Sequence, residues 1–140
     1  MTTKANKEQT AVIDNTPDQA AALDTLIQKV KNAQRIYSGY TQKQVDEIFR
    51  AAAMAANSKR IGLAKLAAQE TRMGIAEDKV IKNHFASEFV FNKFKNTPTC
   101  GIIEDDETFG IKKIAEPVGI LAGIIPTTNP TSTAIFKALL

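Results

Sequence analysis

Residues Val118 to Ile125 read VGILAGII, eight positions without a polar side chain, and are followed at once by PTTNP. An apolar run with no polar alternation fits a parallel strand covered on both faces, whose backbone groups must find partners in neighbouring strands. This points to an α/β architecture. Thr127, Thr128 and Asn129 then place side-chain donors and acceptors at the carboxyl end of the strand, where open α/β sheets bind ligands. Pro130 suits the first turn of a following helix, with Asn129 as its expected cap. Leu139 and Leu140 continue an apolar stripe begun by Ile135 and Phe136, and no Gly, Asn or basic residue follows to end it. The sequence therefore reads as stopping inside a helix.

The chain has 140 residues, of which 44% are hydrophobic, enough for one domain with a core. Lys and Arg number 18 against 15 Asp and Glu, and the net charge of +3 is spread rather than gathered into a basic block. Two Tyr, no Trp and seven Phe at packing positions make a base-stacking surface a poor reading, and no nucleic-acid partner is expected. A single cysteine, Cys100, allows no internal disulfide and fits a reducing compartment. The opening MTTKANKEQTAVIDNTPDQ lacks the apolar stretch of a signal peptide, and no later run is long enough to span a bilayer. The expectation is a cytoplasmic protein with no membrane partner.

Residues 1 to 16 are polar and aperiodic, and read as a flexible lead-in; residues 17 to 140 read as the domain. Leu23, Leu26, Ile27, Val30, Ala33 and Tyr37 predict a first helix ending near Gly39, with one stripe packed and Lys29 and Lys31 wet. Thr41 and Gln44 form a capping-box pattern before a second helix carrying Val45, Ile48, Phe49, Ala52 and Ala56. A third, with Leu63, Leu66, Ala67 and Met73, runs towards Gly74; Ala64, Ala67 and Ala68 allow close approach of a neighbour. A fourth runs from about Glu77 through Val80, Ile81, Phe85, Phe89 and Phe91 until Thr97-Pro98 stops it. Two strands, Cys100 to Glu104 and Phe109 to Ile114, flank an acidic turn at Asp105, Asp106 and Glu107 and predict a β-hairpin. Lys112 and Lys113 suit an exposed arm or pairing edge. No internal repeat or low-complexity tract is present.

Several conspicuous residues have structural explanations. His84 has no second His or Cys at ligand spacing and reads as a surface or structural residue. Cys100 has no base or helix N-terminus beside it in the sequence to activate a thiol, and reads as a packing residue. The acidic run Glu104 to Glu107 lacks the spaced oxygen ligands and glycine turn of a calcium loop and reads as a solvated hairpin tip. Phe85, Phe89, Phe91 and Phe94 read as a helix-packing face.

The strand, turn and helix at 118 to 140 carry the chemical expectation. Neither a G-x-G-x-x-G nor a Walker motif is present, so the glycine-rich phosphate cradle is absent. Peptide N–H groups at a helix start, with the side chains of Thr127 to Asn129, suit contact with a nucleotide or polarisation of a carbonyl. The same pattern also describes a capped βα turn with no ligand.

Three separated segments, IAEPVGILAGIIPTTNPTSTAIFKAL, GIAEDKVIKNHFASEF and VDEIFRAAAMAA, resemble the aldehyde dehydrogenase half of bifunctional aldehyde-alcohol dehydrogenases, in the family's order. The resemblance covers nearly everything after about Pro17. It implies an N-terminal part of a CoA-acylating aldehyde dehydrogenase domain, an α/β fold truncated here after its N-terminal helices, a β-hairpin and the first strand-loop-helix of the NAD-binding domain. The implied parent reduces acetyl-CoA to acetaldehyde with NADH, and a later iron-dependent domain reduces acetaldehyde to ethanol in fermentation. Iron is expected only in that absent domain.

By the same resemblance, Ile124, Ile125, Pro126, Thr127, Thr128 and Asn129 fall on the family's NAD-binding loop. Ordinary aldehyde dehydrogenases carry Pro-Trp-Asn-Phe-Pro here, with the Asn stabilising an oxyanion. Aligned without a gap, Pro126 and Pro130 meet the two prolines, Thr128 meets the Asn and Asn129 meets the Phe. The oxyanion donor is thereby left open between Thr128, Asn129 and the backbone. The family's catalytic cysteine lies well downstream of this loop, and Cys100 does not match it, so the chain alone is expected to be inactive. The parent is expected to be a homo-oligomer, with filament formation open. Two other readings stand beside this one: a stand-alone acylating aldehyde dehydrogenase without the iron domain, and a non-enzymatic helical interaction module.

Overall fold

Thr41 starts the best-specified helix of the chain. Its side chain accepts from the Gln44 N–H, and the Gln44 side chain accepts in turn from the Thr41 N–H at 3.0 Å, so the expected capping box is formed. A computed structural model describes residues 17–140; the lead-in expected over residues 1 to 16 lies outside them. The described elements are α1 (Pro17–Tyr37), α2 (Gln42–Ser58), α3 (Arg60–Thr71), α4 (Ala76–His84), a π-helical turn (Phe85–Phe89), α5 (Val90–Phe94), β1 (Gly101–Asp106), β2 (Ile111–Ala115) and α6 (Pro130–Leu139). The expected fourth helix thus corresponds to α4, the π turn and α5 in series.

The core is small and made largely of small side chains. Ala53 of α2, Ala64 and Ala67 of α3, Ala86 of the π turn and Val90 of α5 are buried. Alanine at a helix contact lets axes approach closely, and α3 packs tightly along α4. The α3–α4 connection is sharp: Arg72 takes a left-handed conformation (φ 54°) as C-cap and returns its N–H to the Ala68 carbonyl, and Gly74 follows at φ 69°. Inside the π turn, the buried Ser87 hydroxyl donates to the Asn83 carbonyl at 2.7 Å, satisfying its own polar group.

Several expectations are corrected. The α1 helix forms, but its stripe does not pack: Leu23, Leu26 and Val30 remain exposed. On the fourth helix, Ile81, Phe85 and Phe89 face outward, while Lys79, Asn83, Ala86, Ser87 and Val90 face the core. Of the four phenylalanines only Phe91 packs well, its ring 5.3 Å from that of Phe49; Phe85 and Phe89 stack on each other at 4.6 Å in the open. The hairpin is antiparallel, with a bulge between Ile102 and Glu104. Its turn spans residues 107–110, so of the acidic residues Glu107 alone lies in the tip, and Glu104, Asp105 and Asp106 belong to β1. Glu104 pairs with Lys113 and Asp105 with Lys112 across the ladder, while Asp106 Oδ1 accepts from the N–H groups of Thr108 and Phe109 to close the turn.

The run Val118 to Ile125, expected as a parallel strand, has no ladder among the described residues, whose one sheet is β1–β2. Val118 is 88% exposed and Ile124 89%. The physical reason is the absence of a partner: a strand needs a neighbour for its N–H and C=O groups, and none lies beside it. The turn and α6 that follow are formed, with Pro130 in the first helical turn as expected.

Candidate functional site

The turn at residues 126–131 is held from below by one face of α4. Lys79, Lys82 and Asn83 stand at helical spacing, so they project towards the same neighbour. Lys79, only 4% exposed, donates from Nζ to the Thr128 carbonyl at 2.8 Å. Lys82 donates to Asn129 Oδ1 at 3.0 Å. Asn83, fully buried, accepts from Thr131 Oγ1 at 2.8 Å while its Nδ2 donates to the Arg60 carbonyl at 3.0 Å. Three parts of the turn are therefore fixed to α4, and Asn83 ties the same point to α3.

Asn129 occupies the N-cap position of α6, and its carbonyl receives the first helical bond from the Thr133 N–H at 3.2 Å. Its side chain does not cap the helix, contrary to expectation. The Lys82 ammonium takes Oδ1 instead, because a charge-assisted bond outcompetes a neutral N–H. The Asn129 Nδ2 is left pointing to Thr128 Oγ1 at a long 3.5 Å. It remains a usable donor.

Of the six residues expected at the site, Ile124, Ile125, Pro126, Thr127 and Thr128 are exposed and Asn129 is half-buried. Asn129 alone among them lines an open cleft of about 540 Å³ between α4, the π turn and α6, together with Lys82, Phe85, Ser132 and Phe136. Sequence reasoning missed Lys79 and Asn83. The signal that marks them is a polar residue recurring at helical spacing with Ala86 and Val90, on what proves to be the buried stripe.

Cys100 and His84 lie elsewhere. Cys100 is half-buried, its N–H bound to Gln42 Oε1 at 3.0 Å, in a separate cleft with Tyr37, Ile114 and Val118. Burial, and secondarily Cys100 itself, holds the Tyr37 phenol above the ordinary tyrosine value. His84 meets Asn57 at 3.2 Å and Glu88 at 3.6 Å on the surface of the helix. Among the described residues no group of three or more His, Cys, Asp or Glu could hold a metal ion, and no helix is long and apolar enough to cross a membrane.

No family model matches the chain. Individual proteins do. The chain is 62% identical over 120 residues to the bifunctional aldehyde-alcohol dehydrogenase of Escherichia coli, a match covering 86% of this chain and 14% of that protein. It is 61% identical over 118 residues to the aldehyde-alcohol dehydrogenase of Clostridium acetobutylicum, covering 84% and 14%. Among solved structures, an acetylating aldehyde dehydrogenase from Geobacillus thermoglucosidasius superposes with a TM-score of 0.84 at 45% identity, covering 87% of this chain and 27% of that one. The chain thus spans about one seventh of the length of these bifunctional relatives. Over most of its residues the chain is thus similar in sequence to the aldehyde-alcohol dehydrogenases, and it shares the fold of a section of an acetylating aldehyde dehydrogenase.

Proposed function

We propose that this chain is the N-terminal section of an NAD-dependent, CoA-acylating acetaldehyde dehydrogenase, and that residues Ile124 to Asn129 contact the cofactor. The observation that carries the site is the turn pinned to α4 at Thr128, Asn129 and Thr131, which holds polar groups rigidly at the start of α6. The donor set fits a nucleotide: hydroxyls of Thr127 and Thr128, Asn129 Nδ2, and peptide N–H groups at a helix N-terminus. NADH bound there supplies hydride for reduction of an acyl thioester. This chain's own part is to bind and orient it and to offer donors to negative oxygen. The cysteine nucleophile belongs to a section of the parent outside this chain.

The higher identity to the bifunctional relatives than to the solved acetylating enzyme favours a bifunctional parent, which carries acetyl-CoA through acetaldehyde to ethanol. On this reading iron belongs to the alcohol dehydrogenase section of the parent. A cytoplasmic, homo-oligomeric parent goes with this reading.

The test is made in the full-length enzyme. Thr128→Val removes a hydroxyl with little change in volume, and Asn129→Leu removes an amide at similar size. Removing either hydrogen bond to a bound ligand should cost about 1–3 kcal/mol where the ligand group left behind is buried and unpaired. A fall in turnover number with NADH affinity intact assigns the side chain to the developing oxyanion, and a fall in NADH affinity assigns it to the cofactor. Two folded variants with wild-type kinetics and affinity would reduce the loop to a structural turn.

A further inference from the structure

We infer that Lys79 is a positioning residue for this site, its buried ammonium turning the Thr128–Asn129 peptide so that the Asn129 N–H faces an anionic oxygen of a bound ligand. The inference rests on the reading of the loop as a cofactor and substrate site, and it names the group that sets the loop's polarity.

Lys79 is an expensive residue to place where it is. It is 4% exposed, and none of the ion pairs among the described residues includes it. Burying an ammonium without a counter-ion is unfavourable, and an apolar side chain of similar length would serve packing alone better. What the ammonium does make is one short bond, 2.8 Å to the Thr128 carbonyl. Gly74, at φ 69°, runs beside the end of the side chain, where a Cβ would lie 3.9 Å from both Cε and Nζ.

The geometry of a peptide group supplies the next step. No peptide bond among the described residues is cis. In a trans peptide the C=O and N–H point in opposite directions, so drawing the Thr128 oxygen towards α4 turns the Asn129 N–H away from it. That N–H has no acceptor among the described residues. The next residue, Pro130, has no N–H at all. Asn129 therefore supplies the donor immediately ahead of α6, and a cation on the carbonyl of the same peptide strengthens it by polarisation. Lys82, one turn along α4, holds the Asn129 side chain at Oδ1 and keeps it from folding back over its own N–H. Two sources share the chemistry of a ligand oxygen carrying negative charge: a phosphate of the cofactor, and the oxygen of a carbonyl under attack.

The experiment uses the full-length enzyme as wild type, Lys79→Met and Lys79→Arg, with circular dichroism and oligomeric state as folding controls. It reads kcat and KM for acetyl-CoA, NADH affinity by fluorescence, and hydrogen exchange of the Asn129 amide with and without NADH or acetyl-CoA. Lys79→Met is expected to lose roughly 10- to 100-fold in kcat/KM, the scale of a misplaced catalytic group, and Lys79→Arg to recover part of it. A loss in kcat with NADH affinity kept identifies the reacting carbonyl, and a loss in NADH affinity identifies the cofactor phosphate. In the wild type, either ligand should slow exchange of the Asn129 amide, a result that needs no variant to fold. Wild-type kinetics and affinity in folded Lys79→Met, or an Asn129 amide that neither ligand protects, would overturn the inference while leaving an active enzyme and its assigned function in place. A wild type that shows no acetyl-CoA-dependent oxidation of NADH would remove the functional reading and this inference with it.

Discussion

Asn83 uses both ends of one buried amide, donating to the Arg60 carbonyl and accepting from the Thr131 hydroxyl, so α3 and α6 meet through a side chain of α4. Asn83→Ala would leave a carbonyl and a hydroxyl without partners and open a void the size of the amide. The expected loss of stability is about 1–3 kcal/mol, read as a lower urea midpoint with unchanged slope. Asn83→Asp should be no better than alanine, because it cannot donate to Arg60 while ionised; a wild-type midpoint in both variants would remove Asn83 from the clamp. Such residues are hard to read from sequence. Periodicity registers apolar side chains, and on this helix it selects Val80, Ile81, Phe85 and Phe89, whereas the buried stripe runs through Lys79, Asn83, Ala86 and Val90. Thr127 to Asn129 were legible because a polar triplet after an apolar run and before Pro130 is a local signal. Their fastening to α4 was not, since it joins positions 47 to 49 residues apart.

At the scale of elements, local chemistry was read well and partnership poorly. The capping box at Thr41 was legible because all of its groups lie within four residues. The hairpin was legible as two strands, with Glu104 in the first, but its turn was placed too early: Asp105 and Asp106 also sit in the ladder, opposite Lys112 and Ile111. That cross-strand pairing gives the hairpin a defined pH response. The hydrogen bond from Lys113, and then its charge, lowers the Glu104 pKa below its ordinary 4.5. A lowered carboxylate pKa means that the pair's contribution is complete above the unfolded value and disappears as pH falls through the lowered folded one. Glu104 is solvent-exposed, so salt should weaken the effect. Carboxyl NMR of Glu104 should therefore show a midpoint below 4.5 that returns towards it in Lys113→Gln or in high salt. A midpoint indifferent to both changes would separate the ladder from the titration.

For the molecule as a whole, the decisive feature is an apolar segment with nothing covering it. Val118, Leu121 and Ile124 are 88%, 74% and 89% exposed, and no strand of the described residues pairs with their backbone. The sequence specified what this segment requires, two neighbours and two covered faces, but not whether the same 140 residues contain them. The helices at residues 42–94 have a core of their own, so the 140-residue chain on its own should give a helical circular dichroism spectrum. The amides of residues 118–125 should exchange without protection, and the exposed run should drive association as concentration rises. Catalysis should be absent, because the one thiol, Cys100, lies in a cleft with Tyr37 and Val118, apart from the turn at Thr128 and from His84. The measurement is NADH oxidation with acetyl-CoA under reducing conditions, run beside Cys100→Ser. No turnover in either chain is the expected result. CoA-dependent turnover that disappears in Cys100→Ser would make Cys100 the nucleophile and overturn its assignment as a packing residue, and a monomer with protected amides throughout 118–125 would show that the segment finds its partners within this chain.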